Sequence, residues 1–215
     1  MRAVIVLGGD LPSADLLRRC AEDADFTIAA DRGLEAFDIA SLVPDFMVGD
    51  MDSVKPAVLS RFEPYVEERR LPCEKDDTDG FEAMHAAVSR GADDITILGA
   101  LGGRLDHALA NLMILVRAAE LGARAELLDE QVRIERVNGK LTLSGQIGDT
   151  VSVLPLGRVE HITLSGFYYP LVDGTMTSAS SLGISNVMTT ERAEVTVGPG
   201  DLFVFHWYGK NRKKP

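Results

Sequence analysis

Cysteine is scarce: only Cys20 and Cys73 occur in 215 residues. They share no ligand-like spacing, so neither a disulfide framework nor a zinc site is expected, and both read as reduced thiols of a cytosolic protein. Long apolar runs are missing too. None approaches the ~20 residues that a membrane-spanning helix needs. The segment Met1–Asp10 lacks the layout of a cleavable signal and reads as a first strand. Positive charge is outweighed, with 22 Lys and Arg against 33 Asp and Glu and a net charge of -11. That balance argues against a general nucleic-acid surface and fits a metal, a cationic substrate or mere solubility. The chain has no G-x-x-x-x-G-K-[ST], so it is not a P-loop enzyme by motif. It also carries no Ser/His/Asp or Cys/His pattern for a protein nucleophile.

What is present is an ordinary globular composition, 46% hydrophobic and 26% charged. The length suits one large domain or two small ones. The organising stretch is Pro44-Asp45-Phe46-Met47-Val48-Gly49-Asp50-Met51-Asp52-Ser53. A short apolar run reads as a buried strand, and Asp50 and Asp52 follow its carboxyl end, where open α/β sheets collect ligands. Two carboxylates so close repel unless a cation lies between them, and oxygen-only ligands suit Mg²⁺ with substrate phosphates. Taken alone, the same residues also make a solvated acidic turn with Ser53 capping the next helix.

Strand-like runs at Val4–Leu7, Phe26–Ala30, Phe46–Val48, Tyr65–Leu71, Ile95–Leu98 and Ala125–Leu128 alternate with helical patterns. Ser13 caps the first helix, Pro56 opens another, and a long one runs through Leu109, Leu112, Met113, Val116 and Ala119 to Gly122. The expectation for 1–129 is a mostly parallel sheet with helices on both faces. After Asp129 the pattern changes to short strands separated by glycine or proline. Asn138-Gly139 predicts a hairpin between Arg133–Val137 and Lys140–Leu143. Thr150–Leu154, His161–Leu164, Ala193–Val197 and Leu202–His206 are further strands, so 130–215 reads as a small all-β sandwich or barrel. The basic tail from Lys210 reads as a solvated end, and Asp173–Ser181 as a loop, either a flap or simply mobile.

Asp10, Asp31, Asp50 and Asp52 all follow strand ends, and parallel strands put those ends on one edge, which predicts a carboxylate-lined crevice. Glu74-Lys75-Asp76-Asp77-Thr78-Asp79 opens a helix, with Thr78 or Asp77 as its cap. There Asp79 can complete a metal site while Lys75 meets phosphate oxygens. Gly102-Gly103-Arg104 precedes another helix start, where backbone N–H groups and a guanidinium fork suit an anion. Gly8-Gly9-Asp10 either touches phosphate or only turns the chain. These parts suit phosphoryl or pyrophosphoryl transfer, which depends on positioning, metal and cationic clamps.

Four ordered blocks carry a family likeness. They are Asp31-Arg32-Gly33, then Pro44-Asp45 with Gly49-Asp50-Met51-Asp52-Ser53, then Glu74-Lys75-Asp76-x-Thr78-Asp79, then Gly99-x-x-Gly102-Gly103-Arg104-x-Asp106-His107-x-x-x-Asn111-Leu112. With Gly166-Phe167-Tyr168-Tyr169-Pro170-Leu171 and Gly183-Ile184-Ser185-Asn186, the chain resembles the thiamine pyrophosphokinases. The resemblance implies transfer of the terminal pyrophosphate of ATP to the thiamine hydroxyl, with release of AMP, by a homodimer with thiamine bound between subunits. It implies Mg²⁺ at Asp50, Asp52 and Asp79, and catalytic roles for these with Lys75 and Arg104. It places Asp31, Gly33, Lys75, Asp76, Thr78, Gly102, Gly103, Arg104, Asp106 and His107 in the nucleotide site. Tyr169, Ser185 and Asn186 fall in the thiamine segment, although Tyr169 stands where some members carry tryptophan. The rival readings are a pterin pyrophosphokinase of related architecture and a non-catalytic nucleotide or thiamine-phosphate sensor.

Overall fold

The computed structural model describes residues 1–70 and 77–208. Cys73, Lys75, Asp76 and the basic tail lie outside the described residues. The chain divides into two compact units, Met1–Glu130 and Gln131–Pro215.

The first unit runs β1 (Arg2–Val6), α1 (Ala14–Glu22), β2 (Phe26–Ala30), α2 (Leu34–Ala40), β3 (Phe46–Gly49), α3 (Pro56–Phe62) and β4 (Glu67–Arg70). It continues through α4 (Asp79–Ser89), β5 (Asp94–Leu98), α5 (Leu105–Glu120) and β6 (Arg124–Leu128). Local chemistry sets the helix ends. Ser13 Oγ accepts the Leu16 N–H at 3.2 Å, and Pro56 occupies the first turn of α3. Gly122, at φ +85°, follows α5 where a left-handed residue ends the helix. The strands lie in the order β6-β5-β1-β2-β3-β4, every pair parallel. Val6, Leu17, Leu34, Phe37 and Met47 form a dry core between the sheet and helices α1 to α3. Each such burial is worth about 1.5–3 kcal/mol. Helix α4 packs against β1, β2 and β3 and against α5.

This order decides where ligands collect. From β1 the chain winds out to β4, then returns to place β5 on the other side of β1. The loops that follow β1 and β5 therefore lie side by side at the reversal, where open parallel sheets bind ligands.

Helix α5 differs in one respect from its sequence pattern. Ile114, Leu115 and Ala118 are its buried residues, whereas Leu105 is 73% and Leu109 53% exposed. Apolar residues run all round this helix, so spacing alone does not choose the inner face.

The second unit contains β7 (Val132–Val137), β8 (Lys140–Ser144), β9 (Thr150–Leu156), β10 (Arg158–Ser165), β11 (Leu171–Thr177), β12 (Asn186–Val187), β13 (Arg192–Thr196) and β14 (Asp201–Trp207). Antiparallel neighbours run β12-β9-β14-β7 and β11-β10-β13-β8. Their inner faces share a core that includes Val137, Leu143, Val153, Ile162, Val195 and Val204. Two expectations need correction. Asn138-Gly139 does not close a hairpin: β7 pairs with β14 while β8 pairs with β13. The turn carries the chain from one sheet to the other, which lets Val137 and Leu143 enter the same core. The supposed loop Asp173–Ser181 is mostly strand, because β11 extends to Thr177 and pairs with β10. No helix among the described residues is long and apolar enough to cross a membrane.

Candidate active site

The acidic cluster is assembled by three loop ends of the first unit. Strand β2 runs into a 3-10 turn, Asp31–Gly33, in which Asp31 adopts φ +44°. Gly33 lets this turn approach β1, since a Cβ there would lie 1.9 Å from the Val6 carbonyl oxygen. Gly49 ends β3 at φ +135°, and a Cβ there would lie 2.0 Å from Asp31 Oδ1. Glycine is therefore what admits the Asp31 carboxyl beside the next loop. In that loop Met51 takes φ +62°, buries its side chain and donates its N–H to Asp31 Oδ1 at 3.2 Å. Asp52 N–H donates to Asp50 Oδ1 at 3.1 Å.

Asp79 opens α4 and shares a side-chain hydrogen bond with Asp31. Burial pushes the Asp31 carboxyl up to about 7, helped by the bond to Asp79 and by the charges of Asp79 and Asp50, against the pull of the Met51 N–H. Asp31 is thus the hub of the cluster. The sequence places Asp31 on the carboxylate-lined edge, but nothing in D-R-G shows that three loops meet on it.

Asp31, Asp52, Thr78 and Asp79 line one cleft of about 420 Å³. Thr78 precedes α4 as its N-cap, yet its side chain makes no cap bond. Its Oγ1 is the one buried side-chain polar atom among the described residues left without a partner. Such an atom costs about 1–3 kcal/mol unless a ligand satisfies it. Among the described residues no three carboxylate, histidine or cysteine groups already form a metal cage. The donors of these acidic loops are oxygens, and an orphaned hydroxyl beside them fits a hard cation carrying phosphate.

The opposite wall comes from the loops after β1 and β5. Gly9 N–H donates to Gly99 O at 2.9 Å and Asp10 N–H to Leu101 O at 2.6 Å. Arg32 donates to the carbonyls of Gly8 and Gly9. Gly102 packs on the Asp10 carboxylate, leaving no room for a Cβ, and Gly103 follows at φ +65°. Asn111 Nδ2 holds the Ala100 carbonyl at 2.8 Å. Arg104 forks onto Asp106 at 3.1 and 2.6 Å, holding that carboxyl down to about 2. Both partners are exposed, so solvent screens the pair and the guanidinium can exchange partners. His107 lines the same cleft. Arg32 and Asn111 line the cleft although the sequence reading did not single them out. Only their place inside the D-R-G and G-G-R blocks hinted at them. Gly102, Gly103 and Arg104 are brought together with the acidic residues as expected.

In the second unit, Tyr169 is 65% exposed and packs edge-on against Tyr168 at 4.9 Å, so it is not a core aromatic. Asn186 is buried, and its amide grips the Tyr169 backbone: Oδ1 accepts from Tyr169 N at 3.0 Å and Nδ2 donates to Tyr169 O at 2.7 Å. Oδ1 also accepts from Val187 N at 2.9 Å. Ser185, at φ +60°, donates its N–H to Ser152 Oγ at 3.0 Å. Tyr169 is exposed, Ser185 is half-buried, and Asn186 holds Tyr169 in place.

Comparison with known proteins matches both units. Residues 17–127 match the family described as thiamin pyrophosphokinase, catalytic domain, and residues 133–200 match its vitamin B1 binding domain. A thiamine pyrophosphokinase from Bacillus subtilis is 28% identical over 204 residues, covering 93% of this chain and 95% of that protein. A crystal structure of thiamine pyrophosphokinase from Bacillus subtilis superposes with a TM-score of 0.86 at 27% identity, covering 97% of this chain and all (100%) of the other. The crystal structure of thiamin pyrophosphokinase from Geobacillus thermodenitrificans gives 0.84 at 29% identity, covering 99% and 100%.

Proposed function

Because this chain belongs to the thiamin pyrophosphokinase family, we propose that it transfers the terminal pyrophosphate of ATP to the hydroxyl of thiamine, giving thiamine diphosphate and AMP. Thiamine pyrophosphokinase activity is the function that the two domain matches and the homologues support; the pterin enzyme and the sensor are not favoured. The single observation that carries the reaction type is the meeting of Asp31, Asp52, Asp79 and Gly102–Arg104 around one cleft.

The first unit is the nucleotide and metal domain in this reading, and the second holds thiamine. Asp50, Asp52 and Asp79 would hold a divalent ion, Mg²⁺, with the Thr78 hydroxyl beside it. When bound, the ion offsets the negative charge of the triphosphate and of the transition state. The chain's own groups do the positioning. Gly102 and Gly103 offer backbone N–H groups to phosphate, and Arg104 leaves Asp106 to face the oxygens that gain charge. Lys75, Asp76 and His107 complete the nucleotide site. The thiamine hydroxyl attacks the β-phosphorus in line. The bond from that phosphorus to the α,β-bridging oxygen breaks, AMP departs with the oxygen, and the hydroxyl proton passes to solvent. Catalysis here is placement and electrostatics, with no protein nucleophile.

Incubation with ATP, Mg²⁺ and thiamine is expected to yield AMP and thiamine diphosphate in equal amounts. AMP should not form without thiamine, and a hydroxymethylpterin should not replace it. ADP with thiamine monophosphate would refute the reaction. A homodimer in the cytoplasm is part of the same proposal. It is supported by the apolar stripe on α5, where Leu105 and Leu109 lie exposed. Sedimentation should give twice the 23.3 kDa chain mass.

The thiamine segment has its own test. Asn186→Ala removes the bonds that fix the Tyr169 backbone. The expected result is a rise of about tenfold in KM for thiamine, with KM for ATP unchanged, from the loss of roughly 1.4 kcal/mol of placement. Equal change in both constants would assign Asn186 to general stability.

A further inference from the structure

Glu35 has no place in the mechanism above, yet it is a carboxylate only 7% exposed on α2, among the buried Leu34, Ala36 and Phe37. Carboxylates are seldom buried like this without a partner. Both of its oxygens bind one residue: Oε2 accepts from Lys55 Nζ at 2.7 Å and Oε1 from the Lys55 backbone N–H at 3.4 Å. Lys55 ends the loop that begins at Gly49 and carries Asp50 and Asp52.

That loop is anchored at both ends and in its middle. Its near end is held by the Met51 N–H on Asp31, and its middle by the buried side chains of Met51 and Val54. Its far end is held by Glu35 and by the first turn of α3, where the Lys55 carbonyl accepts from Val58 and Leu59 N–H at 2.8 and 3.1 Å. The charges of Asp50 and Asp79 both raise the Asp31 carboxyl, and Asp52 lines the cleft with Asp31 and Asp79, so like charges across these loops push apart. A fixed point at the far end opposes that push. We propose that Glu35 is a positioning residue: through Lys55 it holds the loop of Asp50 and Asp52 in the place where these carboxylates can share a divalent ion with Asp79. The inference rests on the metal role proposed above. It concerns the support behind the ligands, which in metal sites commonly governs affinity.

The test is Mn²⁺ binding, followed by the resonance of the free ion, with a non-hydrolysable ATP analogue present. Four variants are compared with the unaltered chain: Glu35→Ala, Glu35→Gln, Lys55→Met and Asp50→Asn. Glu35→Ala should weaken Mn²⁺ binding about tenfold or more. Glu35→Gln should fall between that and the native value. Lys55→Met, which removes the 2.7 Å bond and leaves only the 3.4 Å backbone contact, should weaken Mn²⁺ binding as Glu35→Gln does, and binding at the native value would overturn the link through Lys55. Melting temperature is recorded alongside. A purely structural Glu35 lowers it and leaves the Mn²⁺ constant where it was, which overturns the inference. If Glu35→Ala does not fold, Glu35→Gln decides by the same criterion. Asp50→Asn separates the two levels: if it binds Mn²⁺ as the native chain does, the metal reading itself fails and takes this one with it. If it loses binding while both Glu35 variants keep it, only the positioning role fails.

Discussion

Asp52→Asn is expected to lower kcat by roughly 10²–10³-fold while the protein remains folded. The side chain lines the cleft and is exposed, so replacing it with an isosteric amide creates no cavity. Exposed substitutions of this kind usually change stability by no more than about 0.5 kcal/mol. In the proposed reaction, what is lost is one negative charge from the donor set that would balance a divalent ion. An amide oxygen binds such ions far less well than a carboxylate, and it leaves the triphosphate less neutralised in the transition state. Asp50→Asn should behave alike, with a small added cost because Asp50 Oδ1 accepts the Asp52 N–H. Asp15→Asn is the control: that residue sits in α1, pairs with Arg18 at 3.2 Å, and should leave kcat unchanged. Single-turnover and steady-state rates at saturating thiamine make the measurement. Turnover within threefold of native in Asp52→Asn would remove this carboxylate from the reaction.

Much of this site could be read before any coordinates, for a physical reason. A parallel sheet exposes its strand ends on one edge, and the acidic residues fell just after apolar runs. Strand ends at Ala30 and Gly49 were therefore enough to place Asp31, Asp50 and Asp52 on the same side. The G-G-R block followed β5 for the same reason, and the reversal of strand order beside β1 explains why it meets Gly8-Gly9. What sequence could not supply were contacts across loops. The Arg32 bonds to Gly8 and Gly9 join residues 24 and 23 positions apart, and Glu35 reaches Lys55 across 20. No local pattern encodes either. Asn138-Gly139 misled for the opposite reason. Its turn chemistry is entirely local, and the same left-handed Gly139, at φ +92°, serves a corner between sheets as well as a hairpin. Asn186 was placed in the thiamine segment by the family resemblance alone. Its burial and its bonds to the Tyr169 backbone become visible only when the two segments meet.

Asp31→Asn is expected to make the metal-free protein more stable at pH 8 and to abolish most of its activity. In the folded chain the Asp31 carboxyl is pushed up to about 7, above its ordinary 3.8, by burial and by the Asp79 carboxyl. The sign follows from linkage: a raised acid favours the protonated form, so folding takes up a proton. The stabilising share is complete below about pH 4 and is lost as pH rises through 4 to 7. Above that window the metal-free fold carries repelling carboxylates in a partly buried cluster. Asparagine keeps an oxygen for the Met51 N–H, tolerates the left-handed backbone at φ +44° and removes the charge. Because Asp31 is partly exposed, the gain at pH 8 is about 1–2 kcal/mol after allowance for screening. For a chain of this size that is a rise of roughly 2–8 °C in Tm. At pH 4 the native and variant proteins should melt together. Adding Mg²⁺ with an ATP analogue at pH 8 should raise the native Tm more than that of the variant, since the cation neutralises the repulsion that asparagine has already removed. Turnover should fall about 10²-fold or more, because the hub of the carboxylate cluster no longer carries charge. A variant that melts below the native protein at pH 8, or that keeps native turnover, would show that Asp31 stabilises the fold through hydrogen bonding alone and that its repulsion with Asp79 has no bearing on the reaction.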